Sequence, residues 1–264
     1  MVIVDNQPTP YPDVNEVIAG LVHRILSTLG ENVAGVYLFG SLTYGDYNPA
    51  RSDIDLLVVV RQPLTPGEVE QVRRLHAGVE AAHPAWQGRI EASYTPVGWL
   101  GSAAPPREPR PYYGEGVLYD AVYGNEWIIN NYLLQRHGVT LAGPDFETLA
   151  PPTSIEDVQK ASIRGLFTEW VPKIDDPVYL NSSHYQSYLV LNLCRILYTV
   201  ICAEAGSKSK SAGWVKSAYP QWRDLVQTAE RWAYGAQMDR QNDVIAFIRF
   251  AMDRVSEHPL YTEA

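Results

Sequence analysis

The chain has 264 residues, enough for one large domain or two modest ones. Hydrophobic residues make up 46% and charged residues 19%, which supplies a core and excludes wholesale disorder. The formal net charge of −9 argues against a surface for duplex nucleic acid, because such binding rests on Lys and Arg neutralising phosphates. It suits a cationic small partner better. Cys194 and Cys202 stand at no zinc-binding spacing and, two helical turns apart, are too distant for a disulfide, so both read as small buried apolar residues. Residues 1–12 show neither the basic nor the apolar region of a leader, and no apolar run reaches the ~20 residues of a membrane span. The expectation is a cytoplasmic chain with no membrane partner; a monomer is slightly favoured.

In chain order, residues 13–29 space Val14, Val17, Ile18, Leu21, Val22, Ile25 and Leu26 as a helix, with Asp13 as N-cap. His23 falls among them as a partly exposed helix residue. Residues 35–39 read as a buried strand, broken at Gly40-Ser41. Residues 46–52 are turn-rich. Residues 54–60 (IDLLVVV) are almost wholly apolar, as in a central strand covered on both faces. Residues 67–82 have an amphipathic helical pattern, and residues 89–94 read as another strand. Residues 100–114 are rich in Pro, Gly and Arg and read as a linker. Beyond it, residues 125–137, 155–171, 184–204, 221–234 and 243–256 all read as helices. The class is α+β, with a sheet-containing domain over residues 1–112 and a helical domain over residues 113–264.

The chemistry concentrates in residues 39–60, FGSLTYGDYNPARSDIDLLVVV. Strand residues i and i+2 point the same way, so Asp53 and Asp55 present two carboxylates on one face while Ile54 turns the other way. Such a pair repels itself unless a cation joins it. An all-oxygen pair suits Mg²⁺, which binds through one or two carboxylates plus substrate phosphates. At the end of the preceding strand, Gly40 lets backbone come close to a ligand, and Ser41 has a hydroxyl and amides to offer phosphate. Glu91, in the next apolar strand, is a third acidic candidate, either completing the metal site or acting as general base on a hydroxyl.

The ordered set of Gly-Ser, then Asp-x-Asp, then a carboxylate on a following strand resembles the nucleotidyltransferase superfamily that includes DNA polymerase beta. Within it, residues 38–60 resemble the aminoglycoside 3″-adenylyltransferases. Residues 137–152 (HGVTLAGPDFETLAPP), 189–198 (LVLNLCRILY) and 208–215 (KSKSAGWV) are similar to further segments of that family. The resemblance implies an N-terminal nucleotidyltransferase domain with a mixed sheet and a C-terminal α-helical bundle. It implies transfer of AMP from ATP, with Mg²⁺, to a hydroxyl of a small acceptor bound in the interdomain cleft. Asp53 and Asp55 would hold the metal, and Glu91 would be metal ligand or base. Gly40, Ser41 and Ser52 would lie around the triphosphate, with Arg195 and Lys208 contacting its phosphates. Trp170 and Asp176 would face the acceptor, along with Glu91.

The sequence departs from the family at the acceptor. The family's tryptophan after Phe-Gly-Glu has no counterpart after Tyr113-Gly114-Glu115, where Gly116 stands, and an acidic position before the central helix falls at Tyr185 or Gln186. Two alternatives therefore stand beside an antibiotic acceptor: the same chemistry on a protein hydroxyl or nucleotide, and a module that holds nucleotide without turnover.

Overall fold

The structure, a computed structural model, describes residues 7–262. Residues 1–6, part of the segment read as lacking a leader, lie outside them. The first helix, α1, spans Pro12–Leu29 and buries Val14, Val17, Ile18, Leu21, Val22 and Ile25. Its N-cap is Tyr11, not Asp13. Pro12 takes the first helical position, where its missing N–H costs nothing, and Asp13 sits in the first turn, where the helix dipole favours an anion.

Among the described residues six strands form one sheet in the order β5-β4-β3-β2-β1-β6. They are β1 (Val33–Phe39), β2 (Ile54–Val60), β3 (Ile90–Pro96), β4 (Arg110–Gly114), β5 (Val117–Ala121) and β6 (Val139–Ala142). Only β2 and β3 run parallel, and the crossover between them carries α2 (Pro66–Ala82), begun by a Thr65/Glu68 capping box. The remaining pairs are antiparallel. The valines of β2 are buried, as a central strand requires, and α1 and α2 share one core with the sheet.

The proposed linker and domain break are displaced. The position between residues 112 and 113 lies inside β4, and the chain instead divides into compact units Met1–Thr153 and Ser154–Ala264. The reason is that β3 needs a partner. A two-residue turn at Glu115 (φ 51°) and Gly116 (φ 78°) folds β4 onto β5, and this hairpin completes the sheet on the β3 side. On the other side α3 (Glu126–His137) leads to β6, which pairs with β1. Gly143 (φ 98°) then packs so closely that a Cβ would stand 2.6 Å from the Ala34 carbonyl oxygen, and the Tyr37 hydroxyl donates to the Pro144 carbonyl at 2.7 Å. Gln135 holds the end of the unit, donating to the Pro151 carbonyl at 2.6 Å and accepting from Thr153 N–H at 3.0 Å.

The second unit opens at Ser154, which forms a capping box with Asp157 at the start of α4 (Ile155–Gly165). The helix expected over residues 155–171 changes after Gly165 to a π turn, Leu166–Trp170, and then a 3₁₀ turn, Val171–Asp175, at Pro172. There follow α5 (Pro177–Leu180), α6 (Ser183–Cys202), α7 (Lys208–Ala218), α8 (Arg223–Arg231) and α9 (Gln241–Ser256). The long α6 is the centre of this unit, burying Leu189, Leu193 and Leu197 fully against its neighbours. Residues 208–215, one of the segments similar to the family, lie in α7. Cys194 is buried and Cys202 is exposed near the end of α6, which corrects the expectation that both are core residues; both thiols are free. No helix of the described residues is long and apolar enough to cross a membrane.

Candidate active site

The site carboxylates of the first unit lie in a row across the ends of β1, β2 and β3, in the interior of the sheet. Phe39, the last residue of β1, pairs with Asp55 on β2, and Asp55 pairs in parallel register with Glu91 on β3. Side chains at matched register share a face, so the Asp55 and Glu91 carboxylates stand side by side. Both are half-buried, between fully buried Ile54 and Ile90 and the buried residues that follow them. Asp53 lies just before β2, on the loop side of Ile54, and is half-buried as well.

Gly40 turns the chain at the end of β1 with φ 77°, the left-handed region that favours glycine. A Cβ on Gly40 would stand 1.8 Å from Asp55 Oδ2. The glycine is thus needed to admit a carboxylate of the same chain, a nearer reason than the approach of a ligand. Ser41 lies in the single 3₁₀ turn Gly40–Leu42, its carbonyl accepting from Asp46 N–H at 3.1 Å. This turn is followed by further turns rather than by an α-helix.

Ser52 is used within its own loop. Its hydroxyl accepts from Asn48 N–H at 2.9 Å, and its N–H donates to the Asn48 carbonyl at 2.8 Å. The loop is pinned by Arg89, whose guanidinium donates to the carbonyls of Ser52 (Nε, 3.1 Å) and Pro49 (Nη2, 3.0 Å). The same guanidinium lies over the Trp86 ring, 4.8 Å from its centroid. Arg89 therefore fixes the residue next to Asp53, and sequence reasoning missed it.

Tyr112, on β4, was also missed. Its hydroxyl donates to Glu91 Oε2 at 2.5 Å. Burial, followed by the negative charge of Glu91, holds the phenol well above its ordinary range, so it stays protonated and remains a donor. The signal was the aromatic pair Tyr112-Tyr113 before Gly114-Glu115-Gly116, which is a strand and hairpin turn hidden by the prolines ahead of it.

In the second unit, Tyr188 of α6 gathers several of the expected residues. The Trp170 ring centroid is 5.9 Å from that of Tyr188, and Lys208 Nζ lies 5.1 Å from the Tyr188 centroid. Arg195 is two turns further along α6, on the same side, and half-buried. Asp176 is engaged locally: it caps α5, accepting from Tyr179 N–H at 3.0 Å, and pairs with Lys173 Nζ at 3.0 Å. These bonds, the backbone one first, hold its carboxyl below the usual range. Of the two positions aligned with the family's acidic residue, Gln186 is buried, bonded to the Leu180 carbonyl and Arg240 N–H, whereas Tyr185 is exposed and stacked on Tyr179 at 4.4 Å.

Among the described residues no three His, Cys, Asp or Glu side chains are gathered as a metal-binding cluster. The set of Asp53, Asp55 and Glu91 is therefore not preassembled as three ligands. A pair of aspartates still fits Mg²⁺, which takes one or two protein carboxylates and completes its shell with water and phosphate oxygens. A surface cavity of about 680 Å³ lies elsewhere, between α1 and α2, lined by His23, Arg24, Gln71 and Arg74 among others, and holds none of these residues.

The mixed sheet, the glycine turn and the carboxylate row define a nucleotidyltransferase fold followed by a helical unit. Residues 21–81 match the family described as "Nucleotidyltransferase domain", and residues 154–257 match "Aminoglycoside adenylyltransferase, C-terminal domain". The first unit thus carries a nucleotidyltransferase domain, and the second carries the C-terminal domain of the aminoglycoside adenylyltransferases. It is 24% identical over 229 residues to a spectinomycin 9-adenylyltransferase of Staphylococcus aureus (strain N315), covering 80% of this chain and 81% of that one. A spectinomycin 9-adenylyltransferase of Campylobacter jejuni is 22% identical over 261 residues, covering 92% and 95%. Among solved structures, a spectinomycin adenyltransferase from Enterococcus faecialis with ATP and spectinomycin superposes with a TM-score of 0.72 at 23% identity, over 92% of this chain and 99% of that one.

Proposed function

We propose that the chain transfers AMP from ATP to a hydroxyl of an aminoglycoside or related aminocyclitol, with Asp53 and Asp55 as Mg²⁺ ligands and Glu91 as the general base. The observation that carries this reading is the Gly40–Asp55–Glu91 row, a glycine turn and two carboxylates at matched register. Mg²⁺ held by the aspartates would neutralise and orient the triphosphate. Glu91 accepts the proton of the acceptor hydroxyl through the oxygen that Tyr112 leaves open, and that hydroxyl attacks the α-phosphorus as pyrophosphate departs. Gly40, Ser41 and Ser52 shape the loop beside the nucleotide. Arg195 and Lys208 are carried over from the resemblance as phosphate ligands that offset charge developing on pyrophosphate. Trp170 supplies an aromatic face for the acceptor.

A second reading is favoured by the acceptor residues. Gln186 is buried, Asp176 is engaged in capping α5, and exposed Tyr185 and Tyr188 take the place of an acidic surface. That replacement favours an acceptor with a flat ring, such as a nucleotide, over a polycation. Mass spectrometry of reactions containing ATP, Mg²⁺ and streptomycin, spectinomycin or kanamycin separates the two. An antibiotic carrying an added AMP supports the first reading. All three unmodified, while a nucleotide or protein acceptor gains AMP, supports the second.

A further inference from the structure

We infer that Tyr112 is a positioning residue for Glu91, holding one oxygen of its carboxylate so that the other is presented to the acceptor hydroxyl; this rests on the proposed role of Glu91 as base. Tyr112 pairs with Ser93 across the β3–β4 ladder, so its side chain lies on the same face as Glu91, one step away diagonally. From there its hydroxyl reaches Glu91 Oε2 at 2.5 Å. A carboxylate on a strand has freedom about its terminal torsion, and a single short bond to one oxygen removes most of it.

The ring is itself held in place. The Arg110 guanidinium lies 5.3 Å from its centroid, and Tyr119 meets it edge-on at 5.5 Å. Arg110 is buried and fixed in turn, Nε donating to Ser93 Oγ at 2.9 Å and Nη1 to the Ala121 carbonyl at 2.7 Å. Independently, Gly114 makes room for the ring: a Cβ there would stand 2.6 Å from Tyr112 Cε1. Two residues of β4 are thus shaped around one hydrogen bond to Glu91. Because the donor is a neutral phenol, it orders the carboxylate without supplying a competing positive charge.

The test compares Tyr112→Phe, Tyr112→Gln, Gly114→Ala and the Tyr112→Phe/Gly114→Ala double variant with Glu91→Gln, using pyrophosphate release from ATP with an acceptor that the wild-type enzyme modifies. Melting temperatures report which variants fold. Tyr112→Phe is expected to lower kcat about 10- to 100-fold, with KM for ATP unchanged within about twofold. Tyr112→Gln, which keeps a donor, recovers part of that loss. Gly114→Ala lowers kcat by itself, and the double variant is no worse than Tyr112→Phe, because both act through the same bond. Wild-type kcat in a folded Tyr112→Phe, with Glu91→Gln inactive, overturns the inference and leaves the base in place. Additive losses in the double variant overturn it as well. Wild-type kcat in Glu91→Gln overturns the base assignment and the inference together.

Discussion

Gly40 and Asp55 occupy the same space: the position a Cβ would take on Gly40 is 1.8 Å from Asp55 Oδ2. The turn leaving β1 and the carboxylate entering β2 were shaped together, since Phe39, just before the glycine, is the ladder partner of Asp55. Gly40→Ala must therefore displace the carboxylate, and it must also place an L-residue at φ 77°. The conformation alone costs about 1–2 kcal/mol. The displacement is expected to lower kcat about 100-fold. Thermal melting and steady-state turnover check the two effects separately.

Arg89 gives a prediction of a different kind. Its guanidinium ties the loop of residues 46–52 through the carbonyls of Pro49 and Ser52. Arg89→Ala removes charge-assisted bonds expected to contribute about 1.5–3 kcal/mol to stability. It also frees the residue beside Asp53, so the Mg²⁺ concentration giving half-maximal rate should rise about 10-fold. Arg89→Lys should not restore it, because an ammonium cannot reproduce the planar fork. A magnesium titration of turnover is the check.

His76 sets an acid limit to stability. It is wholly buried on α2, stacked on Tyr113 at 4.1 Å, and shares a 2.8 Å hydrogen bond with the Tyr94 hydroxyl. Burial pushes its imidazole down from 6.5 to about 3. Between those values the unfolded chain binds a proton that the folded chain does not. The contribution is intact above pH 6.5 and is lost as pH falls toward 3. At pH 5 this amounts to about 2 kcal/mol. Urea unfolding of wild type and His76→Gln at pH 7.5 and 5 should show a smaller acid loss in the variant by about that amount.

At the head of the second unit, the Ser154 hydroxyl accepts from Asp157 N–H at 3.1 Å while Asp157 Oδ2 accepts from Ser154 N–H at 3.1 Å. Ser154→Ala should cost about 1 kcal/mol. The loss should appear in denaturant unfolding and leave turnover at moderate temperature unchanged.

The parts of this fold that were legible in the sequence are those with a strong period. The apolar spacing of residues 13–29, the valines of β2 and the long apolar α6 each announce their element, and Asp-Ile-Asp beside a Gly-Ser turn announces the chemistry. The α+β class and the family followed from these. What was hidden depends on partners distant in sequence. β4 contains Pro111 and follows a Pro-rich stretch, so only its pairing with β3 makes it a strand, and the domain break moved with it. The role of Tyr112 is invisible until Ser93 is set opposite it. The roles of Ser52 and Asp176 came from the resemblance alone, and the hydrogen bonds each makes to near neighbours in the chain could not be read from it.

The most direct test of the carboxylate row is the rate of acceptor-dependent pyrophosphate release by Asp55→Asn, a substitution that keeps the shape beside Gly40 and removes the charge. The account predicts a fall of at least about 100-fold with the fold intact by circular dichroism. Release at the wild-type rate would contradict it and place the chemistry elsewhere on the chain.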